Sequence, residues 1–382
     1  MEYNTQPPRR QQSDQPRRLV RRKRKRNTVG GIVGKVALSL LAFLLITFIG
    51  AYLTLWVICR GPSTAASDLF VSTILETGQA KFLASWYFTD EEILEITGRN
   101  GMGQTDDQVD TGLITRPGEG EEGDEPFDLD GVTIEEISGR SFYAKMLIVN
   151  DPSRVKLATI YPWSDFDRSK GGETLESLVT GGGYLAGING GEYYSEGNWG
   201  GRPMGVVVCD GQIQYNVPEA GDVLVGFNED DILLIMDVGH MSAQQVENLV
   251  AENRIRDAVC FKDIDDGDDN HFTKVIINGK AREITGTGSG ANPRTAIGQR
   301  ADGTVLMLVT DGRGAAGHLG ATAQDLISIM LDYGAVNAAN LDGGSSSAMY
   351  YDNAYEMTSV TLYYSTSSWK LPDAFVVERR DG

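Results

Sequence analysis

Twenty-four consecutive residues, Val36 to Cys59, carry no charge and are rich in Leu, Ile, Phe and Val. Few structures accept such a segment. As a helix it rises about 36 Å at ~1.5 Å per residue, enough to cross a ~30 Å hydrocarbon layer with some tilt. A buried helix of a soluble domain rarely runs so long without a charge. Tyr52 and Trp56 lie near its far end, where interfacial aromatics sit. Residues 36–59 are therefore read as a transmembrane anchor whose partner is the lipid bilayer. A cleavable signal peptide is the rival, but its apolar core usually spans only ~7–15 residues. The small residues Ser63, Thr64, Ala65 and Ala66 would still permit processing.

Charge sets the orientation. Residues 1–35 hold 11 Lys/Arg and 2 Asp/Glu, a net +9, whereas the rest of the chain carries −28. The run Arg21-Arg22-Lys23-Arg24-Lys25-Arg26 would suit a nucleic-acid arm. With the apolar span directly after it, it reads instead as a positive-inside anchor. The expectation is a single-pass protein of the cell membrane, with a basic cytoplasmic tail (1–35), an extracytoplasmic C-terminal bulk and no nucleic-acid partner.

Beyond the anchor, residues 60–97 show apolar Leu69, Ile74, Leu75, Phe82, Leu83, Ile93 and Ile96 at roughly helical spacing. They are expected to form a membrane-proximal helical stalk or a packing helix pair. Residues 98–131 turn polar, glycine-rich and acidic, too poor in apolar surface to order themselves, and are expected to be a linker. From about Val132 to residue 382 the pattern is that of an α+β domain with few helices and a mixed, largely antiparallel sheet. Strands are expected at 141–149, 154–161, 184–188, 204–209, 212–215, 232–236, 274–277, 304–310 and 335–341. Asp210-Gly211, Asn278-Gly279 and Asp302-Gly303 carry hairpin chemistry. Helices are expected at Glu173–Val179, Ser242–Arg254 and Thr322–Tyr333. The last has a capping Thr322, an Asp325 suited to the exposed N–H groups, a stripe of Leu326, Ile329, Met330 and Tyr333, and a terminating Gly334.

Polar clusters recur where apolar runs end. Asn189-Gly190-Gly191-Glu192 follows Tyr184–Ile188, and Asp311-Gly312-Arg313 follows Val305–Thr310. Asn340-Leu341-Asp342-Gly343-Gly344-Ser345 follows Ala335–Ala339, and Asn292-Pro293-Arg294-Thr295 leads into a hairpin. Paired glycines let backbone approach a ligand and aim N–H groups at it. Guanidinium groups clamp oxyanions bidentately. Taken singly, each cluster is equally a capped turn or a surface ion pair; several at strand ends mark a cleft. Arg202 lies close by in Gly201-Arg202-Pro203, and Tyr193, Tyr194 and Trp199 could wall a sugar.

Other chemistries find less support. His240, His271 and His318 have no metal-ligand spacing, and His318 is the nearest histidine in sequence to the serines 345–347. The acidic run 263–270 superficially resembles a calcium loop without full EF-hand spacing, so no cofactor is expected, a divalent cation remaining an open option. Cys59, Cys209 and Cys260 form no disulfide framework; Cys209 and Cys260 are expected as buried free thiols, although a bridge is open to them.

The ordered set Asn189-Gly190-Gly191, Gly201-Arg202-Pro203-Met204-Gly205, Asn292-Pro293-Arg294-Thr295-Ala296-Ile297-Gly298, Asp311-Gly312-Arg313 and Asn340-Leu341-Asp342-Gly343-Gly344-Ser345-Ser346 resembles the phosphodiester glycosidase family over roughly 140–380. Leu371-Pro372-Asp373-Ala374-Phe375 resembles its closing strand. Family members often have an aromatic where Glu192 stands and a third glycine where Ser345 stands. The resemblance implies hydrolysis of a sugar-1-phosphodiester in sugar-phosphate or cell-wall glycans. Asp342, Asp311 and Glu192 are then the catalytic candidates. Asn189, Gly190, Gly191, Arg202, Asn292, Arg294, Thr295, Arg313, Asn340, Gly343, Gly344 and Ser345 are candidates for holding substrate. A non-catalytic envelope module that binds such polymers is the alternative.

Overall fold

The computed structural model describes residues 29–77, 80–115, 128–160, 163, 171–195, 200–263, 271–359 and 367–380. Most of the basic tail, residues 116–127 of the expected linker, Trp199 and residues 264–270 of the acidic run lie outside them. The chain divides into two units, 1–57 and 58–382. The first contains most of helix α1 (Val29–Arg60), which is long and apolar enough to cross a membrane.

The second unit is a mixed α+β body built on three antiparallel sheets. The seven-stranded sheet runs in the order Val132–Ser138, Tyr143–Val149, Val305–Thr310, Thr295–Arg300, Ala335–Asn340, Lys274–Ile277, Lys280–Ala281. One five-stranded sheet holds Leu233–Asp237, Asp222–Asn228, Ile255–Lys262, Gly205–Cys209 and Gln212–Val217. The other holds Ala354–Thr358, Ala348–Tyr351, Ala186–Asn189, Asp373–Val377 and Val155–Thr159. All three expected hairpins form: Val208 faces Ile213, Ile277 faces Lys280, and Gln299 faces Val305. Asp210 and Gly211, like Asn278 and Gly279, have positive φ, as a two-residue hairpin turn requires.

Alternation along the strands builds two layers of core. Val305, Met307 and Val309 point to a central core shared with Val225, Phe227, Ile188 and Phe375 of the other sheets. Leu306 and Leu308 point the other way, onto helix α7 (Ala323–Asp332) through Leu326 and Met330. The second sheet likewise sends Val225 inward and Leu224 outward beneath α6 (Ala243–Glu252). The third sends Phe375 inward and Val376 outward beneath α5 (Leu175–Gly181). Each sheet therefore has one face on the common core and one under its own helix, with every residue of Asp222–Asn228 and Asp373–Val377 buried. Helix α7 has the expected cap: Thr322 and Asp325 form a reciprocal capping box, and Gly334 with φ 80° follows its end.

Helices α2 (Thr64–Leu75), α3 (Phe82–Ser85) and α4 (Asp90–Arg99) belong to the same unit as the sheets. The reason is a polar dock. Gly290 packs on the backbone of Ser72 and Thr73 so closely that a Cβ there would lie 2.5 Å from the Thr73 nitrogen. The described part of the expected linker is also tied down: Met102 bridges to Ile284, and Gly103 N–H donates to the Glu283 carbonyl (2.8 Å). Cys209 and Cys260 are free thiols, the second fully buried.

Candidate functional site

Four of the five motifs are hydrogen-bonded into one constellation. Asn189 ends a strand of the third sheet and is fully buried. Its Nδ2 donates to the Asp342 carbonyl (2.6 Å), and its Oδ1 accepts from the Thr295 hydroxyl (2.7 Å) and the Ala348 N–H (3.2 Å). Asp342 N–H donates to the Gly190 carbonyl (3.4 Å), Leu341 N–H to Thr295 (2.8 Å) and Gly344 N–H to Pro293 (2.8 Å). Asn189 and Thr295 therefore act as buried connectors between the two glycine turns. Gly190 has no room for a side chain, since a Cβ would sit 2.1 Å from Asp373 Oδ1.

Arg313 completes the rim. Its Nη1 donates to Ser345 Oγ (2.9 Å). A side chain on Gly344 would meet Arg313 Nη2 at 2.5 Å, and the φ of 60° at Gly344 independently favours glycine. The residue is exposed overall, yet its guanidinium is desolvated, which lowers its pKa; the Asp342 charge opposes that shift and the Arg294 charge adds to it. Tyr193 shares a hydrogen bond with Ser346 Oγ (3.1 Å), closing the other side of the turn.

Two carboxyls interact here. Burial pushes Asp342 up to about 7, against hydrogen bonds from Ser346 and the Gly343 N–H, with the charges of Glu192 and Asp373 raising it further. Glu192 is half-buried, with His271 Nε2 3.8 Å from its Oε1. The third candidate, Asp311, is committed elsewhere. Its Oδ1 accepts from Tyr143 N–H (2.7 Å) and its Oδ2 lies 2.6 Å from His318 Nδ1.

Arg294 and Asn292 are not open to a ligand as expected. Glu76, which follows α2, brings its carboxylate against Arg294 Nη2 (2.5 Å), Asn292 Nδ2 (2.7 Å) and Gly290 N–H (2.5 Å). Arg294 also donates to Ser289 Oγ and the Gly290 carbonyl and lies over the Phe272 ring (5.0 Å). Asn340 is buried and donates to the Phe272 carbonyl (2.9 Å), a framework contact. Arg202 stands on the two-stranded ribbon of Tyr193–Ser195 and Gly201–Pro203, where its described partner is the Tyr194 ring (5.8 Å).

Two carboxylates of the site escape sequence reasoning. Glu76 is a single acid at a helix end, with no motif around it. Asp373, buried beneath Gly191, accepts that residue's N–H (2.8 Å), and burial pushes it up to about 7. Only its place in the closing-strand motif hints at it. Among the described residues no group of His, Cys, Asp and Glu is set to hold a metal. A polar cavity of about 250 Å³ lies elsewhere, between Thr105–Asp107 and the hairpin bearing Lys274, Lys280 and Arg282.

The family model for phosphodiester glycosidases matches residues 182–378, more than half of the chain and all the turns above. The chain belongs to the phosphodiester glycosidase family. A 64-residue stretch is 45% identical to the SPbeta prophage-derived uncharacterized protein YomE of Bacillus subtilis, spanning 17% of this chain and 10% of that protein. The catalytic domain of zebrafish N-acetylglucosamine-1-phosphodiester alpha-N-acetylglucosaminidase, auto-inhibited by its pro-peptide, aligns at a TM-score of 0.46 with 17% identity, over 70% of this chain and 87% of that one. The crystal structure of a protein from Burkholderia pseudomallei aligns at a TM-score of 0.42 with 16% identity, over 62% of this chain and 74% of that one.

Proposed function

We propose that the chain is a membrane-anchored, extracytoplasmic hydrolase that cleaves a sugar-1-phosphodiester of an envelope or exopolysaccharide glycan. The observation that carries this reading is the meeting of Arg313, Ser345 and the Asp342-Gly343-Gly344 turn, with Glu192 acting electrostatically on Asp342. Arg313 takes the phosphodiester oxyanion, because the residue is exposed and its guanidinium lies against a turn with no side chain. Arg294 supports the motif from below through Glu76.

In the reaction, water attacks the anomeric carbon and the bond from that carbon to the phosphate oxygen breaks. The electron pair stays on the phosphate, a competent leaving group that needs no strong general acid. Ionised Asp342 receives the proton of the attacking water, and the negative charge of Glu192 stabilises the oxocarbenium-like sugar. The sugar leaves with a free hydroxyl and the partner retains a phosphate monoester. Asn189, through its bond to the Asp342 carbonyl, holds the turn in register.

The test is incubation of the purified chain with an N-acetylglucosamine-1-phosphodiester. Free sugar is expected, with activity rising as pH passes through about 7 as Asp342 ionises. Asp342→Asn should lower kcat by about 100-fold or more, and Arg313→Ala should lower kcat/KM by a similar factor. Binding of a sugar-phosphate polymer without turnover, with Asp342→Asn indistinguishable from wild type, would instead identify a non-catalytic envelope module.

A further inference from the structure

Helix α3 and the turn that follows it, residues 82–88, put large apolar side chains on two sides. Ala84, Tyr87 and Phe88 face inward and are buried, Tyr87 packing edge-on against Phe70 (6.4 Å). Phe82 and Trp86, four residues apart and so on one helical face, are 54% and 50% exposed. Their rings touch each other edge-on (5.4 Å). An exposed aromatic pair opposite a buried apolar side calls for cover of its own.

The position of α3 indicates what supplies that cover. Ile58, Cys59 and Arg60, the last residues of the apolar helix α1, belong to the same compact unit as α3. Cys59 is buried in it. Arg60 donates through both terminal nitrogens to the Glu92 carboxylate (2.6 and 2.8 Å), and its guanidinium lies 4.7 Å from the centre of the Phe88 ring. Phe88 is two residues beyond Trp86, at most about 7 Å along the chain. The end of the span and the exposed aromatic pair are therefore fixed to one another. An arginine closing a transmembrane helix sits at the lipid–water boundary, the level at which tryptophan is enriched.

We propose that Phe82 and Trp86 enter the headgroup region of the outer leaflet, so that the extracytoplasmic unit rests on the bilayer through α3 in addition to its attachment through α1. This inference rests on the membrane-anchored reading above. The ligand is a lipid surface, and the contact is a shallow one made by two rings.

The test uses the full chain in phosphatidylcholine vesicles whose acyl chains carry bromine near the headgroup. Trp56→Phe first removes the indole of the span itself. In that variant bromine quenching of tryptophan emission is expected to persist, and it is expected to vanish in Trp56→Phe/Trp86→Phe. Quenching that is absent from the first variant, or unchanged in the second, overturns the proposal. Alkaline carbonate extraction of the same vesicles separates the two levels of failure. A chain released into the supernatant overturns the membrane anchor itself, whereas a retained chain without Trp86 quenching overturns only the contact through α3.

Discussion

The residue with most at stake is Arg294. Its side chain is buried and its charge is balanced by Glu76, a residue 218 positions away in sequence. A buried ion pair is costly to break on one side, because the remaining charge keeps its desolvation penalty. Glu76→Ala is expected to destabilise the second unit by about 3 kcal/mol or more, measured from the urea midpoint. Inorganic phosphate should recover part of that loss in the variant and little in wild type, since an oxyanion can re-enter the cradle of Gly290, Asn292 and Arg294. Asp373 carries the opposite kind of stress. Its folded pKa of about 7 lies above the ordinary carboxyl value of 3.8, so the native state holds its proton more tightly than the unfolded chain does. The carboxyl is therefore best tolerated at low pH, and stability falls as pH rises from the unfolded value through about 7. Asp373→Asn keeps an oxygen for the Gly191 N–H and removes the ionisation. Relative to wild type it should gain on the order of 3–4 kcal/mol between pH 4 and pH 8, read from paired urea titrations at the two pH values.

At the scale of elements, the turns were more legible than the strands between them. The hairpins at Asp210-Gly211 and Asn278-Gly279 announce themselves because positive φ demands those residues. Helix α7 announces itself through a cap, a stripe and a terminating glycine. Asp222–Asn228 and Ile255–Lys262 were not expected as strands, for a physical reason. Both are buried almost throughout, between the central core and α6, so neither shows the polar–apolar alternation that marks a half-exposed strand. The site follows the same rule. Asn189, Asp342 and Arg313 lie in glycine turns and stand out locally, whereas the Glu76–Arg294 pair exists only through packing of α2 and leaves no local trace. Helix α7 carries no site side chain, which makes it a control for purely structural effects. Thr322→Ala removes the hydroxyl that accepts from Asp325 N–H (3.3 Å) and should cost about 1 kcal/mol of stability. Turnover per folded molecule should stay at the wild-type value, checked by scaling the rate to the folded fraction.

The whole molecule places its boundary where the sequence does not suggest one. Composition points to an ordered domain beginning near Val132, after a stalk and an acidic spacer. The packing argues for a unit beginning at the end of α1. Glu76 and Thr73 meet the loop that leads into the Asn292-Pro293-Arg294 motif, with Ala291 N–H donating to the Thr73 hydroxyl (3.0 Å). Arg99 and Asn100 hold Asp68, while Gly101 and Gly103 pair with the backbone of Thr285 and Glu283. A fragment comprising residues 132–382 loses all these partners at once. It retains Arg294 without its counter-charge and exposes the backbone of Gly290 that α2 covers. A fragment comprising residues 61–382 retains them. The longer fragment is therefore expected to unfold at a clearly higher temperature, and the shorter one to show faster amide exchange across residues 284–294. Equal melting temperatures and equal exchange in that segment would mean that α2 to α4 only lie alongside the domain. The larger stability of the longer fragment would instead make them part of it, and would fix the site as a product of both ends of the chain beyond helix α1.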